Sequence, residues 1–234
     1  MIVIKNLTKK FGKLYALNDV SAEYSRGECI GLIGPNGSGK TTLLKCILGM
    51  VVANSGSIYF NDNSIAKKWL YRCQIGYMPQ IGKYPENMTI AQVFNMMKDI
   101  RKKEIDEELL ESLGLKNLMQ KKMRTLSGGT TQKVSASLAF LFNPEVLILD
   151  EPTAGLDPVA SEILKGKIIQ EKNKGKLILI TSHVLSEMDE LITEVMYMQE
   201  GKPLFHKKLA ALKLETGEEK LSRAIVKIMN NHHQ

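Results

Sequence analysis

Short apolar runs alternate with helix-like stretches along most of this chain, and that alternation predicts an α/β fold. Aliphatic and β-branched side chains predict three buried strands, at 29–33, 145–149 and 176–181. Apolar positions at helical spacing predict helices after these strands, at 41–48, 157–173 and 184–192, the second opened by the capping pair Asp157-Pro158. Short strands alternating with helices are typical of a mostly parallel, doubly wound sheet.

Two parts of the chain depart from this alternation. Successive short strands are predicted near the start, at 1–7, 14–18 and 20–25, with another at 57–60, and they indicate an antiparallel side layer. Between residues 81 and 143 only helices are predicted, at 90–100, 105–113 and 130–142. Thr89-Ile90-Ala91-Gln92 matches a capping box at the first of them. This stretch therefore predicts an all-helical insert.

The end of the chain carries a predicted hairpin at 194–205, turning near Gly201, and two short helices. Together these patterns predict one domain over residues 1–234. Its core comprises 1–80 and 144–205, its helical subdomain 81–143, and its short C-terminal helical extension 206–234.

Composition and charge exclude several classes of protein. Of the 234 residues, 44% are hydrophobic and 24% charged, which is typical of globular chains. No apolar run approaches the roughly 20 residues that span a bilayer. Three widely spaced cysteines predict neither a disulfide framework nor a metal site, and they suit a reducing cytosol. The net charge of +7 comes from scattered lysines and arginines without interleaved aromatics, which favours solvated helix faces over a nucleic-acid site.

A glycine-rich motif lies between a predicted strand and a predicted helix. It reads Gly34-Pro35-Asn36-Gly37-Ser38-Gly39-Lys40-Thr41-Thr42 and matches a phosphate-binding loop (P-loop). Glycines let backbone N–H groups close around phosphate oxygens, and the next helix points its positive end at them. In such a loop Lys40 reaches the β- and γ-phosphates and the Thr41 hydroxyl binds Mg²⁺. The core is therefore predicted to be that of a P-loop NTPase.

A pair of carboxylates, Asp150-Glu151, ends the apolar strand that begins at Val146. Ligands bind at the carboxyl ends of parallel strands. Asp150 is placed to hold Mg²⁺ through its water shell, and Glu151 to orient or deprotonate an attacking water. Two acids after a strand are, taken alone, more often a helix cap. Beside a phosphate loop, the catalytic interpretation is favoured.

Leu126-Ser127-Gly128-Gly129-Thr130 places a serine and two glycines at a predicted helix start. Such a start is another anion-binding end, which a single nucleotide does not require. Taken alone, an ordinary N-cap role for Ser127 is favoured.

In this order along the chain, the phosphate loop, the Leu126-Ser127-Gly128-Gly129 signature, the Asp150-Glu151 strand end and His183 resemble the motifs of ATP-binding cassette (ABC) ATPases. The resemblance covers nearly the whole chain. It implies an enzyme that binds ATP and Mg²⁺ and hydrolyses ATP. It also implies the ABC ATPase fold, with a P-loop core, an antiparallel β layer and a helical subdomain.

The resemblance implies further roles for single residues. Phe11 matches the aromatic residue that stacks on adenine, where the family more often has Tyr. Gln80 resembles the residue that contacts Mg²⁺ and lies where a membrane partner docks, and His183 resembles the γ-phosphate sensor. The implied catalytic set is therefore Glu151, His183, Lys40 and Gln80.

A homodimer follows from the same resemblance. Two copies placed head-to-tail bring each signature against the other copy's ATP, and Ala154-Gly155-Leu156-Asp157 resembles the loop that joins the two sites. Thr130 stands where the family commonly has Gln. The family's contact between this position and the nucleotide of the opposite copy is therefore not carried over. Ser127 and Gly129 match the family pattern.

Residues 76–89 are similar to the docking loop of the ATPases that serve maturation of nitrous oxide reductase, and 132–136 and 140–144 are similar to the same group. This resemblance implies an integral membrane permease and a periplasmic accessory protein that help assemble the copper site of that enzyme. We expect a cytoplasmic protein, peripheral on the inner face of the cytoplasmic membrane, with no nucleic-acid partner.

Two alternatives stay open. An ATPase of a multidrug or small-molecule exporter shares most of these motifs. A soluble ABC ATPase that serves a scaffold, as in iron–sulfur cluster assembly, also has one complete cassette. The basic balance and the loop after Gln80 favour a membrane partner. Glu151 and His183 together disfavour a nucleotide-binding regulator without turnover.

Overall fold

The computed structural model describes residues 1–231, so the last three residues of the predicted extension 206–234 lie outside the described part. Its strands are β1 (Ile2–Phe11), β2 (Leu14–Tyr24), β3 (Cys29–Ile33), β4 (Ser55–Phe60), β5 (Asn63–Ser64), β6 (Ile75–Met78), β7 (Val146–Asp150), β8 (Leu177–Thr181), β9 (Glu194–Gln199) and β10 (Lys202–Lys208). Its α-helices are α1 (Lys40–Ile47), α2 (Ile90–Arg101), α3 (Glu108–Ser112), α4 (Gly128–Phe140), α5 (Pro158–Asn173), α6 (Leu185–Leu191), α7 (Leu209–Thr216) and α8 (Leu221–Asn231).

The chain folds into two compact units. One comprises Met1–Tyr71 and the chain from Leu177 onwards, and the other comprises Arg72–Lys176. The predicted division into a core at 1–80 and 144–205 and a helical subdomain at 81–143 has different boundaries and stays a prediction.

Two sheets build the first unit. In one, β3 pairs in parallel with both β8 and β9, and β10 adds antiparallel to β9. Every side chain of β3 and β8 is buried, as expected for strands covered on both faces. The other sheet has the order β2-β1-β4-β5 and is antiparallel throughout, which confirms the predicted side layer.

The predicted break between the strands at 14–18 and 20–25 is wrong. The separate strands expected at 14–18 and 20–25 form the single strand β2. The irregularity is instead a local bulge between β1 and β2, where Asn6 and Asp19 have φ values of +49° and +57°. The Asn6 amide donates a 2.9 Å hydrogen bond to the Asp19 carboxylate, which holds the bulge without ending the strand.

The second unit contains the parallel pair β6 and β7 and helices α2 to α5. The Thr89 capping box is confirmed, because the Thr89 and Gln92 side chains each accept a hydrogen bond from the other's backbone N–H. The helix expected at 105–113 is shorter, at Glu108–Ser112, and the one expected at 130–142 begins two residues earlier, at Gly128. Strand β6 was not predicted.

None of the helices in the described part of the chain is both long and apolar enough to cross a membrane.

A cluster of charged side chains holds the segment before α3 against α5. Lys167 of α5 is 6% exposed, and its ammonium lies 3.2 Å from Asp106, 2.5 Å from Glu108 and 3.3 Å from Glu171. Because Asp106 and Glu108 open the α3 segment, one buried cation joins two helices that are distant in sequence.

Replacing Lys167 with Met is expected to lower the free energy of unfolding by about 1–3 kcal/mol, since Met fills the space but removes the shared cation. Urea unfolding checks this, with Lys98→Met on the exposed face of α2 as the control. Equal free energies of unfolding for the two variants would contradict a stabilising role for the cluster.

The same cluster makes the free energy of unfolding depend on pH. Burial opposes ionisation of Glu171, but hydrogen bonds from Lys176 and Lys174 outweigh burial and lower its pKa. The stabilisation is therefore complete above the unfolded-state pKa and is lost as the pH falls through the lower folded-state pKa. Since Lys167→Met removes one of the neighbouring cations, we expect its acid unfolding at a higher pH than that of the unaltered chain.

Candidate functional site

The glycine-rich loop runs from the end of β3 to the start of α1, as the sequence predicts. Gly34 and Gly39 have φ values of +146° and +104°, which favour glycine. A Cβ at Gly34 would lie 2.1 Å from the Met198 carbonyl oxygen, and one at Gly39 would lie 2.4 Å from the Ala16 carbonyl oxygen. Both glycines are therefore required by close backbone packing as well as by conformation.

Lys40 is the first residue of α1 and is only 8% exposed. Its ammonium donates hydrogen bonds to the carbonyl oxygens of Gly34 at 2.7 Å and of Pro35 at 2.9 Å. The positive charge is thus held over the loop, at a helix start whose first turn carries no acidic residue. Thr41 and Thr42 follow in the same turn and are half-buried. This arrangement favours binding of an anion.

Phe11 ends β1 at the tip of the β1–β2 hairpin and is 53% exposed. The Lys9 ammonium lies 5.0 Å from the centre of its ring and donates a 2.8 Å hydrogen bond to the Val52 carbonyl. Lys9, which the sequence did not single out, therefore fixes the Phe11 ring and leaves an exposed aromatic surface available for stacking.

The acidic pair lies at the carboxyl end of β7. Asp150 is the last residue of the strand and is 3% exposed, and Glu151 follows with a φ of +53°. A left-handed backbone at a residue other than glycine costs of order 1–3 kcal/mol and concentrates at functional sites. The Gln132 amide donates a 3.4 Å hydrogen bond to the Glu151 carbonyl, which helps to hold this turn.

Strand β6 places Tyr77 beside the acidic pair. The sequence did not identify this tyrosine as a site residue. Burial, with the Asp150 carboxylate nearby, raises the pKa of Tyr77 to about 12, so this phenol stays protonated. Gln80 is exposed two residues beyond the end of β6. The only signal for β6 is the short run Ile75-Gly76-Tyr77-Met78, which is too brief to distinguish a strand by periodicity.

The signature residues open helix α4. Ser127 is its N-cap, accepting a 3.2 Å hydrogen bond from the Thr130 N–H, and the Ser127 and Thr130 hydroxyls lie 2.9 Å apart. Leu126 is half-buried, whereas Ser127 and Gly128 are exposed. The helix start therefore presents backbone N–H groups at an accessible surface.

The signature packs against the loop that precedes α5. A Cβ at Gly129 would lie 2.8 Å from the Gly155 carbonyl oxygen. Asp157 caps α5 through the Ala160 N–H at 2.9 Å, as predicted, and also pairs with Lys133 of α4 at 2.7 Å. Hydrogen bonds from Lys133 and from the Ala160 N–H lower the pKa of Asp157. The structure thus brings together the signature and the loop that precedes α5, which are far apart in the sequence. Lys133, which was not predicted from the sequence, links them.

His183 lies between β8 and α6 and is exposed. The neighbouring Ser182 is buried, and its hydroxyl accepts a 3.0 Å hydrogen bond from the Val184 N–H, which fixes the turn. The first unit therefore carries Phe11, the loop 34–42 and His183. The second unit carries the remaining predicted site residues, which are Gln80, Asp150, Glu151, Leu126, Ser127, Gly128, Gly129 and Asp157.

The candidate metal ligands of this chain are oxygen donors. Within residues 1–231, no group of three or more His, Cys, Asp and Glu side chains forms an all-protein metal site. Mg²⁺ usually takes only one or two protein ligands and completes its shell with water and phosphate oxygens. The Thr41 hydroxyl in the first unit and the Asp150 carboxylate in the second are each a hard oxygen donor of the kind that this ion prefers.

Comparison with known proteins gives consistent results. The family model for ABC transporters matches residues 17–154. The chain is 35% identical over 228 residues to the uncharacterized ABC transporter ATP-binding protein YhaQ of Bacillus subtilis, covering 95% of this chain and 76% of the relative. It is 34% identical over 208 residues to the lantibiotic transport ATP-binding protein SrtF of Streptococcus pyogenes, covering 88% of this chain and 90% of the relative.

A solved structure of an ATP-binding subunit of an ABC transporter superposes with a TM-score of 0.89 at 26% identity, covering 98% of this chain and 99% of the other. This likeness, with the mixed sheets described above, confirms the predicted α/β fold class with a P-loop core.

Proposed function

This chain belongs to the ABC transporter family and is an ATP-binding ATPase of that family, and from this premise we propose that two copies of it drive a separate integral membrane permease. The observation that carries the proposal is the presence of two anion-binding helix starts in one chain. One is at Lys40 of α1 and the other at Ser127 of α4. Because one triphosphate occupies the first, the second serves the ATP of another copy.

Each copy contributes phosphate-binding groups to the ATP that it binds. The backbone N–H groups of the loop and the Lys40 ammonium hold the β- and γ-phosphates, and His183 contacts the γ-phosphate. Thr41, Gln80 and Asp150 supply the oxygen donors for Mg²⁺, which neutralises charge on the phosphate oxygens. The signature Leu126-Ser127-Gly128-Gly129 of the second copy binds the same γ-phosphate, and the loop at Asp157 joins the two sites.

Hydrolysis follows from the position of Glu151. The carboxylate orients a water and accepts its proton as the oxygen attacks the γ-phosphorus. The bond between the γ-phosphorus and the bridging oxygen breaks, and ADP leaves with the bonding electron pair. Loss of the γ-phosphate removes the group shared by the two copies, so the dimer opens and the permease changes conformation. Residues 81–143, proposed as a helical subdomain, transmit the change to the permease.

The specific role that we propose is maturation of the copper enzyme nitrous oxide reductase, with a periplasmic accessory protein. It is supported by the similarity of residues 76–89 to the docking loop of that group of ATPases. The protein would then act in the cytoplasm, peripheral on the inner face of the membrane, without nucleic acid.

A second candidate is the ATPase of a small-molecule or peptide exporter. It is favoured by the 34% identity to a lantibiotic transport ATP-binding protein over nearly the full length of both chains. A soluble ABC ATPase that serves a scaffold, as in iron–sulfur cluster assembly, is the third candidate.

Identification of the partners distinguishes these functions. Tagged Glu151→Gln is trapped with MgATP and purified from gently solubilised cells. The Lys40→Met variant, which we expect not to form the trapped dimer, is purified in the same way as the control. A multi-span membrane protein with a periplasmic protein, both enriched by Glu151→Gln, supports copper-enzyme maturation. A membrane protein alone supports the exporter. Soluble scaffold proteins alone would contradict both transporter functions.

The Phe11 ring gives a separate prediction about the base. Phe11→Ala is expected to weaken ATP binding about tenfold, because stacking on one base contributes roughly 1–3 kcal/mol. Binding of tripolyphosphate, which has no base, is expected to stay unchanged. Competition against a fluorescent ATP analogue measures both affinities. Tyr15→Ala, which removes the other lysine-covered ring of the hairpin, is the control. Equal ATP affinity in all three proteins would contradict the assignment of Phe11.

A further inference from the structure

We propose that the turn Glu200-Gly201, between β9 and β10, is a positioning element of the phosphate loop. The inference rests on the proposed function, because it assigns to this turn a part in binding the triphosphate of ATP. The turn is far from the loop in sequence and contains no group that would contact phosphate through its side chain.

The turn is hydrogen-bonded to the loop and to β2 at the same time. The Gly201 N–H donates to the Ser38 carbonyl at 3.1 Å, and the Gly201 carbonyl accepts from the Asn18 N–H at 2.9 Å. One residue of the hairpin therefore fixes the backbone of Ser38, which lies between the two glycines that close the loop. The Ser38 N–H also donates to the Pro35 carbonyl at 3.2 Å, so both polar backbone atoms of Ser38 are held by hydrogen bonds within the protein.

Close packing leaves little room for a side chain at Gly201. A Cβ at Gly201 would lie 3.0 Å from the Ala16 carbonyl oxygen, 3.1 Å from its carbonyl carbon and 3.2 Å from Leu17 Cα. The same Ala16 oxygen lies 2.4 Å from the position of a Cβ at Gly39. The Ala16 peptide is thus enclosed between the turn and the loop, and a shift of Gly201 would be transmitted to Gly39.

The hairpin also supports the other end of the loop. The Met198 carbonyl, near the end of β9, packs directly on Gly34, where a Cβ would lie 2.1 Å away. Glu200 and Gly201 have φ values of +49° and +77°, so the two-residue turn is of the left-handed kind that hairpins prefer. The loop is therefore pre-organised by backbone contacts at both ends, which lowers the cost of ordering it when phosphate binds.

Comparison of two glycine substitutions tests the proposal. Gly201→Ala places a Cβ against Ala16, whereas Gly27→Ala alters a turn glycine of nearly equal φ, +79°, that has no atom within 4 Å of a Cβ. Both variants carry similar backbone strain, so both are expected to lower Tm, Gly201→Ala by more because its Cβ also crowds Ala16. Only Gly201→Ala is expected to weaken binding of MgATP and of tripolyphosphate, about fivefold or more, because a displaced loop binds poorly.

The outcomes separate this inference from the proposed function. Equal affinities of Gly201→Ala and Gly27→Ala for tripolyphosphate overturn the positioning role, provided that the unaltered chain binds it. Failure of the unaltered chain to bind ATP or tripolyphosphate overturns the proposed function together with this inference. A loss confined to ATP, with tripolyphosphate unaffected, also overturns the positioning role because the turn would then act on the base.

A measurement on the unaltered chain covers the case in which Gly201→Ala does not fold. Amide ¹H–¹⁵N spectra are recorded with and without tripolyphosphate. The Gly201 amide is expected to shift and to exchange more slowly with solvent on binding, whereas the Gly27 amide is expected to stay unchanged. An unchanged Gly201 amide, with tripolyphosphate bound, overturns the proposal.

Discussion

Glu151→Gln is expected to lower kcat for ATP hydrolysis by about 10²- to 10³-fold while ATP binding is retained. The amide keeps the size of the side chain but cannot accept the proton of the attacking water, and general-base catalysis contributes roughly 10²–10⁴-fold. The left-handed backbone at this position, with a φ of +53°, is tolerated equally by the two side chains, so no new strain is introduced.

Release of phosphate measures turnover, a fluorescent ATP analogue measures affinity, and light scattering measures the dimer. The variant is expected to accumulate as a dimer with ATP, because the γ-phosphate shared by the two copies is not lost. Glu162→Gln, on the exposed face of α5 where Glu162 pairs with Lys165, serves as the control with unchanged turnover. Unimpaired hydrolysis by Glu151→Gln would contradict the assignment of Glu151 as the catalytic base.

Lys40→Met is expected to weaken ATP binding by about 10²-fold, with hydrolysis lost as a consequence. Hydrogen bonds to charged groups contribute about 1.5–3 kcal/mol each, and this ammonium is proposed to contact two phosphates. Met retains the length of the buried side chain, so the packing of α1 is largely kept. The ammonium also donates to the carbonyls of Gly34 and Pro35, and its removal therefore loosens the loop before any phosphate is bound.

Lys45→Met is the matched control, because Lys45 is exposed in the last turn of the same helix. Tripolyphosphate affinity is expected to fall as steeply as ATP affinity in Lys40→Met, since the lost contacts are to phosphate. The two largest effects are thus expected to differ in kind, with Glu151→Gln losing turnover and Lys40→Met losing binding. Retained ATP affinity in Lys40→Met would contradict the proposed phosphate cradle.

Local signals account for what the sequence predicted about the site. The loop 34–42, the Thr89 capping box and the Asp157 cap of α5 each depend on residues within a few positions of one another. Turn chemistry and capping are decided at that range, so spacing alone is informative. The two carboxylates at Asp150 and Glu151 were placed by the same reasoning, because they follow an apolar strand directly.

The errors of the sequence prediction have equally physical causes. The bulge at Asp19 resembles a break between two strands, because a left-handed residue interrupts the alternation without ending the strand. Strand β6 has only four residues, and a short apolar run has no period by which to identify it. Its pairing with β7 makes it a strand, and that pairing depends on residues far along the chain.

The sequence by itself determined the α/β class, the phosphate loop, the signature helix start and the acidic strand end, because each is encoded by neighbouring residues. Only the tertiary structure decided that Lys9 bonds to the Val52 carbonyl, that Lys133 pairs with Asp157 and that Gly201 holds Ser38. These contacts join segments that are distant in the chain. Whether such segments meet is decided by the packing of whole strands and helices, and no local pattern of residues records it.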